Sequence, residues 1–187
     1  MKKCPCYGVD NPEADNLAAD FSERVFRAFD RKKPYLGEAF LPSSIQFTTY
    51  ADAGKQVGPT PDGRKNGEPL CDSIGAVHGK DKKGPTALLK SAASLAQTLA
   101  AGTPVLNFRI NKAYVKSALK PLIMGYFKLG GMQIQVSCLS KEDMLDALEH
   151  PEKHENLIVR IGGYSEYFNR LSTELKHTVI NRTEHIF

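Results

Sequence analysis

From Tyr35 to Lys83 the chain is dominated by glycine, proline, serine, aspartate and threonine, and this stretch limits the possible folds more than any helix or strand pattern does. Only Ser44 to Tyr50 has a short strand-like character. Without a sustained apolar period the segment cannot build a layer of its own. Loops this long without internal structure are uncommon inside a compact domain and commonly wrap over a larger body. The composition therefore points to a partner surface for this segment to cover.

On either side the periodicity is clear. Pro12-Glu13-Ala14-Asp15 opens a helical pattern carrying Leu17, Phe21, Val25, Phe26 and Phe29, which stops at Lys33-Pro34; that face must pack on something. Gly84-Pro85-Thr86 leads into an alanine-rich helix from Ala87 to Ala101, whose Ala92, Ala93 and Ala96 allow close neighbours, and Gly102 ends it. Val105 to Ile110 alternates as a strand. Val115 to Leu129 is helical, with Pro121 starting a new helix or kinking one, and Gly130-Gly131 terminates it. Met132 to Cys138 forms the next strand, and Ser140 with Asp143 makes a near capping box for a helix through His150, closed by Pro151. Leu157 to Ile161 is a third strand. Ser172-Thr173-Glu174 then starts a last helix with Leu175, Val179 and Ile180 on its apolar side. Strands alternating with helices indicate an α/β architecture.

With 187 residues and a net charge of +4, the chain suits one large or two small domains. No run approaches the roughly 20 apolar residues of a membrane span, and Met1-Lys2-Lys3-Cys4-Pro5 is not followed by a signal-like apolar stretch, so a cytoplasmic location is expected. Cys4, Cys6, Cys71 and Cys138 are too scattered for a disulfide framework, and reduced thiols are expected. Cys4-Pro5-Cys6 lacks the second pair that a structural zinc site needs, so no metal is expected. His78, His150, His154, His177 and His185 stand at no spacing that separates them from surface or helix-end residues. The lysines are spread along the chain, and Arg31-Lys32-Lys33 and Lys80 to Lys83 lie beside turn residues, which reads as solvated surface and not as a nucleic-acid face.

The third strand runs into Val159-Arg160-Ile161-Gly162-Gly163-Tyr164. Taken alone, the glycine doublet is a turn after a strand. Glycine also has a chemistry of its own. Loss of a Cα hydrogen leaves a planar carbon between an amide nitrogen and a carbonyl, both of which delocalise the spin, and a side chain would hinder that planarity. Glycine further allows unusual backbone angles and close approach.

The stretch resembles the radical loop of glycyl radical enzymes, whose pattern is Arg, aliphatic, small residue, Gly, then Tyr or Phe. The carry-over lands on Gly163 as the radical glycine, with Arg160, Gly162 and Tyr164 as loop support. Further stretches are similar to the same family, in order: Tyr7-Gly8, Pro12-Glu13-Ala14-Asp15, Thr60-Pro61-Asp62-Gly63-Arg64-Lys65-Asn66-Gly67-Glu68-Pro69-Leu70, Gly84-Pro85-Thr86-Ala87 and Gly130-Gly131-Met132-Gln133. Essentially the whole chain is covered. The branch is that of diol dehydratases, choline and hydroxyproline lyases and arylacetate decarboxylases within the pyruvate formate-lyase-like superfamily, with pyruvate formate-lyase itself more distant.

The resemblance implies the C-terminal portion of a ten-stranded glycyl radical α/β barrel, incomplete without its N-terminal portion. Residues 1–60 would be a remnant of the barrel domain and residues 61–187 the glycine radical domain. Asp62-Gly63-Arg64 reads as a turn begun by Pro61, with Arg64 expected to pair with a carboxylate in the assembled barrel. In the family a radical S-adenosylmethionine activating enzyme takes hydrogen from the glycine, the glycyl radical converts a cysteine to a thiyl, and the thiyl attacks substrate. The protein contributes position and exclusion of solvent and oxygen. The cysteine belongs to a Gly-Cys-x-Glu motif that is absent here. The implied role is a radical-storing component that binds no cofactor itself and needs a larger cysteine-bearing chain for turnover, in anaerobic metabolism. The alternatives are a spare part that replaces an oxygen-cleaved radical domain, or an inactive gene fragment.

Overall fold

Asn11 starts the first helix, α1 (Pro12–Asp30). Its side-chain oxygen accepts from the amides of Glu13 and Ala14 at 3.1 and 3.2 Å, Pro12 sits in the first turn, and Glu13 and Asp15 place negative charge at the positive end of the helix dipole. The computed structural model to which α1 belongs describes residues 4–182 and His185. The apolar stripe of α1 stays largely open: Phe26 is buried, but Leu17 and Phe21 are 70% and 68% exposed. Polar atoms tie the helix down instead. Ser91 donates to buried Asp15 at 2.8 Å, and the Ala96 amide reaches Ser22 Oγ at 3.3 Å.

The segment read as a long loop holds more structure than its composition suggests. The strand expected from Ser44 to Tyr50 is only β1 (Ser43–Ser44), and a helix, α2 (Thr49–Gln56), follows it. The cause is tertiary. Tyr50 and Ala51 are buried, and the Leu70 amide donates to Tyr50 O at 3.1 Å, so a returning loop fixes the helix from outside. Within this chain the Arg64 guanidinium donates to the carbonyls of Val57, Gly58 and Glu68 and so holds its own loop.

The alanine-rich helix is shorter than expected: α3 (Pro85–Ala93) gives way to a 3-10 turn at Gln97–Leu99. Gln97 explains the break. Its buried amide donates to Ala92 O at 2.6 Å and to the Tyr126 hydroxyl at 3.0 Å, while its oxygen accepts from the Met132 amide at 2.8 Å. A side chain that takes a helix carbonyl competes with the backbone ladder. Beyond it come β2 (Thr103–Pro104), β3 (Asn107–Arg109), α4 (Lys120–Lys128), β4 (Gln135–Ser137) and α5 (Lys141–Glu149). Pro121 stands in the first turn of α4, directly after a π-helical turn at Val115–Leu119, as its missing amide requires. Ser140 caps α5 by accepting from Asp143 N at 3.0 Å. The chain ends with β5 (Ile158–Arg160), β6 (Ser165–Tyr167) and α6 (Thr173–Asn181), the last capped by Ser172, which accepts from Leu175 N at 3.3 Å.

β1 pairs with β2 and β3 with β4 in parallel, whereas β5 and β6 are antiparallel. The β3–α4–β4 unit is the crossover that a parallel pair needs. The α/β alternation is present, but among the described residues each pair is a separate two-stranded piece and not part of one closed sheet. Two cores support them. Leu88, Leu106, Phe108 and Tyr126 fill the first; Met144, Val159, Ile161, Phe168 and Val179 fill the second, on which the β5–β6 hairpin rides. Along β5 the burial alternates, with Ile158 52% and Val159 1% exposed, as a half-buried strand demands.

Candidate functional site

The β5–β6 register pairs Ile158 with Tyr167, Val159 with Glu166 and Arg160 with Ser165. The Ile161 amide donates to Tyr164 O at 3.0 Å, which leaves Gly162 and Gly163 as the tip of the hairpin. Both glycines are required, for different reasons. Gly162 is buried, and a Cβ there would lie 2.8 Å from Phe47 Cα and 3.2 Å from Phe47 N and O, so backbone meets backbone with no room for a side chain. Gly163 has φ +99°, a region that side-chain-bearing residues rarely adopt. The side-chain position of Gly163 faces Phe47 Cε1 at 3.3 Å and Ile45 Cδ1 at 3.8 Å, while the residue itself remains exposed.

Polar contacts from two other segments, at Gln135 and Arg182, hold the hairpin. Gln135 Oε1 accepts from Gly163 N at 3.0 Å and from Arg160 Nε at 3.2 Å. Arg160 Nη1 donates to Ser165 Oγ at 3.1 Å, so one guanidinium spans both arms of the hairpin and reaches β4. Below it, Arg182 Nη1 donates to Arg160 O at 2.7 Å and Nη2 donates to Ile161 O at 3.4 Å. Arg182 Nη2 also lies 2.7 Å from Asp72 Oδ2, with the two side chains 9% and 5% exposed. Arg109 in turn donates to the carbonyls of Val179, Ile180 and Arg182, satisfying the end of α6 and fixing the residue that carries Arg182.

The histidine expectation fails at two positions. His185 is 3% exposed, stacks on Phe108 with ring centres 5.2 Å apart, and lies 3.3 Å from Asp81. His78 is held below its ordinary pKa, first by burial, with Asp72 acting in the opposite direction and Arg182 reinforcing the shift. His154 meets Asp146 at 2.6 Å near the surface. Cys71 and Cys138 are partly buried, and burial pushes both thiols up. Among the described residues no group of three or more His, Cys, Asp or Glu is placed to hold a metal ion, and no helix is long and apolar enough to cross a membrane. A cleft of about 680 Å³ lies beside α6, lined by Lys55, Arg64, Lys80, Glu174 and His177; Gly163 is not part of it.

Arg160, Gly162, Gly163 and Tyr164 thus form one hairpin tip, with Tyr164 closing the turn through its carbonyl and keeping its side chain 40% exposed. Sequence reasoning missed Gln135, Arg182 and Phe47. Gln135 had one usable signal, since Gln133, Gln135 and Ser137 place polar residues together on one face of the strand. Chemically, the arrangement offers a side-chain-free carbon on an accessible loop, with its amide fixed from outside the loop.

The family described as glycine radical matches residues 70–169. The chain is 35% identical over 191 residues to the PFL-like enzyme TdcE of Escherichia coli (strain K12), covering 96% of this chain and 25% of that protein. It is 30% identical to trans-4-hydroxy-L-proline dehydratase of Clostridioides difficile, covering 99% of this chain and 24% of that one. Identity therefore does not set the formate-lyase-like type further off than the dehydratase type, contrary to the expectation above. A solved structure concerned with 1,2-propanediol dehydration in Roseburia inulinivorans superposes with a TM-score of 0.94 at 34% identity, covering 98% of this chain and 24% of that one. The chain spans about a quarter of the length of the proteins it matches.

Proposed function

Because the chain belongs to the glycine radical family, we propose that it is the radical-storing component of a glycyl radical lyase of dehydratase, carbon-nitrogen lyase or decarboxylase type. Gly163 is the residue that holds the radical, supported by Arg160, Gly162 and Tyr164. The observation that carries this reading is the hairpin tip: a glycine at φ +99° without steric room for change at its neighbour, and with its amide held by Gln135. Loss of one Cα hydrogen there leaves a trigonal carbon flanked by two peptide groups.

The chain supplies residues 1–60 as the end of a ten-stranded barrel domain and residues 61–187 as the glycine radical domain. A larger chain provides the thiyl cysteine, the acid-base residue and the substrate pocket. The open stripe on α1, with Leu17 and Phe21 exposed, supports such a partner, because contiguous apolar surface is seldom left in water. A radical S-adenosylmethionine enzyme in an anaerobic cytoplasm installs the radical, and no cofactor is bound by this chain itself.

The test is anaerobic electron paramagnetic resonance after treatment with a matched activating enzyme, reductant and S-adenosylmethionine. A glycyl doublet that is lost in Gly163→Ala is expected. Admission of oxygen should then cut the backbone at Gly163 and release a C-terminal peptide visible by mass spectrometry. An unchanged cleavage product in Gly163→Ala overturns the assignment.

A further inference from the structure

Resting on Gly163 as the radical-bearing residue, we propose that Gln135 is its positioning residue, a hydrogen-bond acceptor that pins the Gly163 amide and so orients and steadies the radical. Gln135 is 7% exposed and sits at the start of β4, in register with Asn107 of β3. Its own amide donates to Leu106 O at 2.8 Å, so the backbone that carries the side chain is fixed to the first core. The side-chain oxygen accepts from Gly163 N at 3.0 Å and from Arg160 Nε at 3.2 Å, which uses both of its acceptor sites. An exposed hairpin tip is thereby referenced to a strand outside the hairpin.

The chemistry gives this bond a role beyond folding. When the Gly163 Cα–H bond breaks homolytically, the hydrogen atom leaves with one electron to the carbon-centred radical that the activating enzyme supplies, and the other electron stays on Cα. The amide nitrogen then donates electron density toward the half-filled orbital, and its N–H becomes more polarised. A hydrogen bond from a donor carrying more positive charge is stronger. The acceptor on Gln135 therefore holds the radical more tightly than the closed-shell glycine, and interactions that gain on going uphill are those that promote a step. The same bond keeps the peptide plane before Gly163 in place, while rotation about N–Cα, from φ +99°, brings the trigonal carbon into line with that plane. Arg160 lends the acceptor its place by bonding the same oxygen and Ser165.

Gln135→Leu removes the acceptor at similar size, and Gln135→Glu restores an oxygen at the same reach. Circular dichroism and urea midpoints establish that both variants fold. Amide hydrogen exchange read by nuclear magnetic resonance tests the geometry without any radical: exchange at Gly163 should quicken about tenfold in Gln135→Leu, the loss of one hydrogen bond, and return toward the wild-type rate in Gln135→Glu. Electron paramagnetic resonance after anaerobic activation tests the chemistry: the doublet yield should fall about tenfold in Gln135→Leu with altered hyperfine splitting, and recover in Gln135→Glu. A folded Gln135→Leu with wild-type exchange at Gly163, or with a wild-type doublet that Gly163→Ala lacks, overturns the positioning role while leaving the radical site intact. A doublet that survives in Gly163→Ala brings down the radical assignment, and this inference with it.

Discussion

Arg182→Met removes a guanidinium that lies 2.7 Å from Asp72 Oδ2 and donates to Arg160 O at 2.7 Å. The Asp72 contact is an ion pair by distance, with an angle too bent to count as a hydrogen bond. Both side chains are almost withdrawn from solvent, so screening is weak and the loss is not softened by water. Taking one partner from a buried pair leaves the other charge uncompensated, at a cost of about 3–5 kcal/mol. Among the described residues the hydrogen-bond partners left to Asp72 would be Asn107 Nδ2 at 2.9 Å and Ser73 Oγ at 3.2 Å, both neutral. For a chain of this length that cost lowers Tm by about 6–20 °C. Urea unfolding followed by circular dichroism measures the loss, and scanning calorimetry measures the shift. Asp72→Asn combined with Arg182→Met should lose less than the two single changes added together, by about 1–3 kcal/mol, because the second change removes the stranded charge. Amide exchange along β5 should rise in Arg182→Met, since the carbonyls of Arg160 and Ile161 lose their donor. A single-variant loss below about 1 kcal/mol, or strict additivity in the double variant, refutes the view that this pair anchors the hairpin.

At the hairpin tip, Gly162→Ala should cost more stability than Gly163→Ala. The first drives a Cβ into the Phe47 backbone at 2.8 Å, whereas the second meets a movable ring at 3.3 Å and adds backbone strain of about 1–3 kcal/mol, a difference that urea midpoints will resolve. Stability should fall as pH drops below the ordinary histidine value of 6.5, because His78 is held neutral by burial among Asp72, Asp81, Arg109 and Arg182 while the unfolded chain takes up the proton. His78→Gln should flatten that slope in urea midpoints compared at neutral and mildly acidic pH. Leu17→Glu with Phe21→Glu should alter folding stability by less than about 0.5 kcal/mol per site, because both side chains are largely exposed, yet weaken association with the cysteine-bearing chain in sedimentation velocity.

Local signals carried a good part of the fold. Pro12 and Ser140 mark helix starts that the structure bears out, Pro121 marks a helix start after a π-turn, and the run Leu157 to Ile161 contains strand β5. Each of these depends on residues within one turn or one strand of each other. Helix α2 was not legible, because Tyr50 is buried by a loop that returns from Leu70, and no window of the sequence contains that contact. The early end of α3 was hidden for the same reason: Gln97 reads as a good helix former until its amide finds Tyr126 and Met132. β6 was also missed, since Ser165 to Tyr167 becomes a strand only by pairing with β5.

For the hairpin tip the division is similar. Val159 to Tyr164 carries the pattern that resembles a radical loop, and the short-range chemistry of a glycine doublet is written in those residues alone. Gln135, Arg182 and Phe47 come to it from other segments of the chain, and the neighbours of Arg182 and Phe47 announce no role. A glycine's freedom is a property of one residue and can be read from one residue. The restraint on that freedom, which amide oxygen accepts its N–H and which backbone crowds its neighbour, is a property of distances between segments, and only folding sets those.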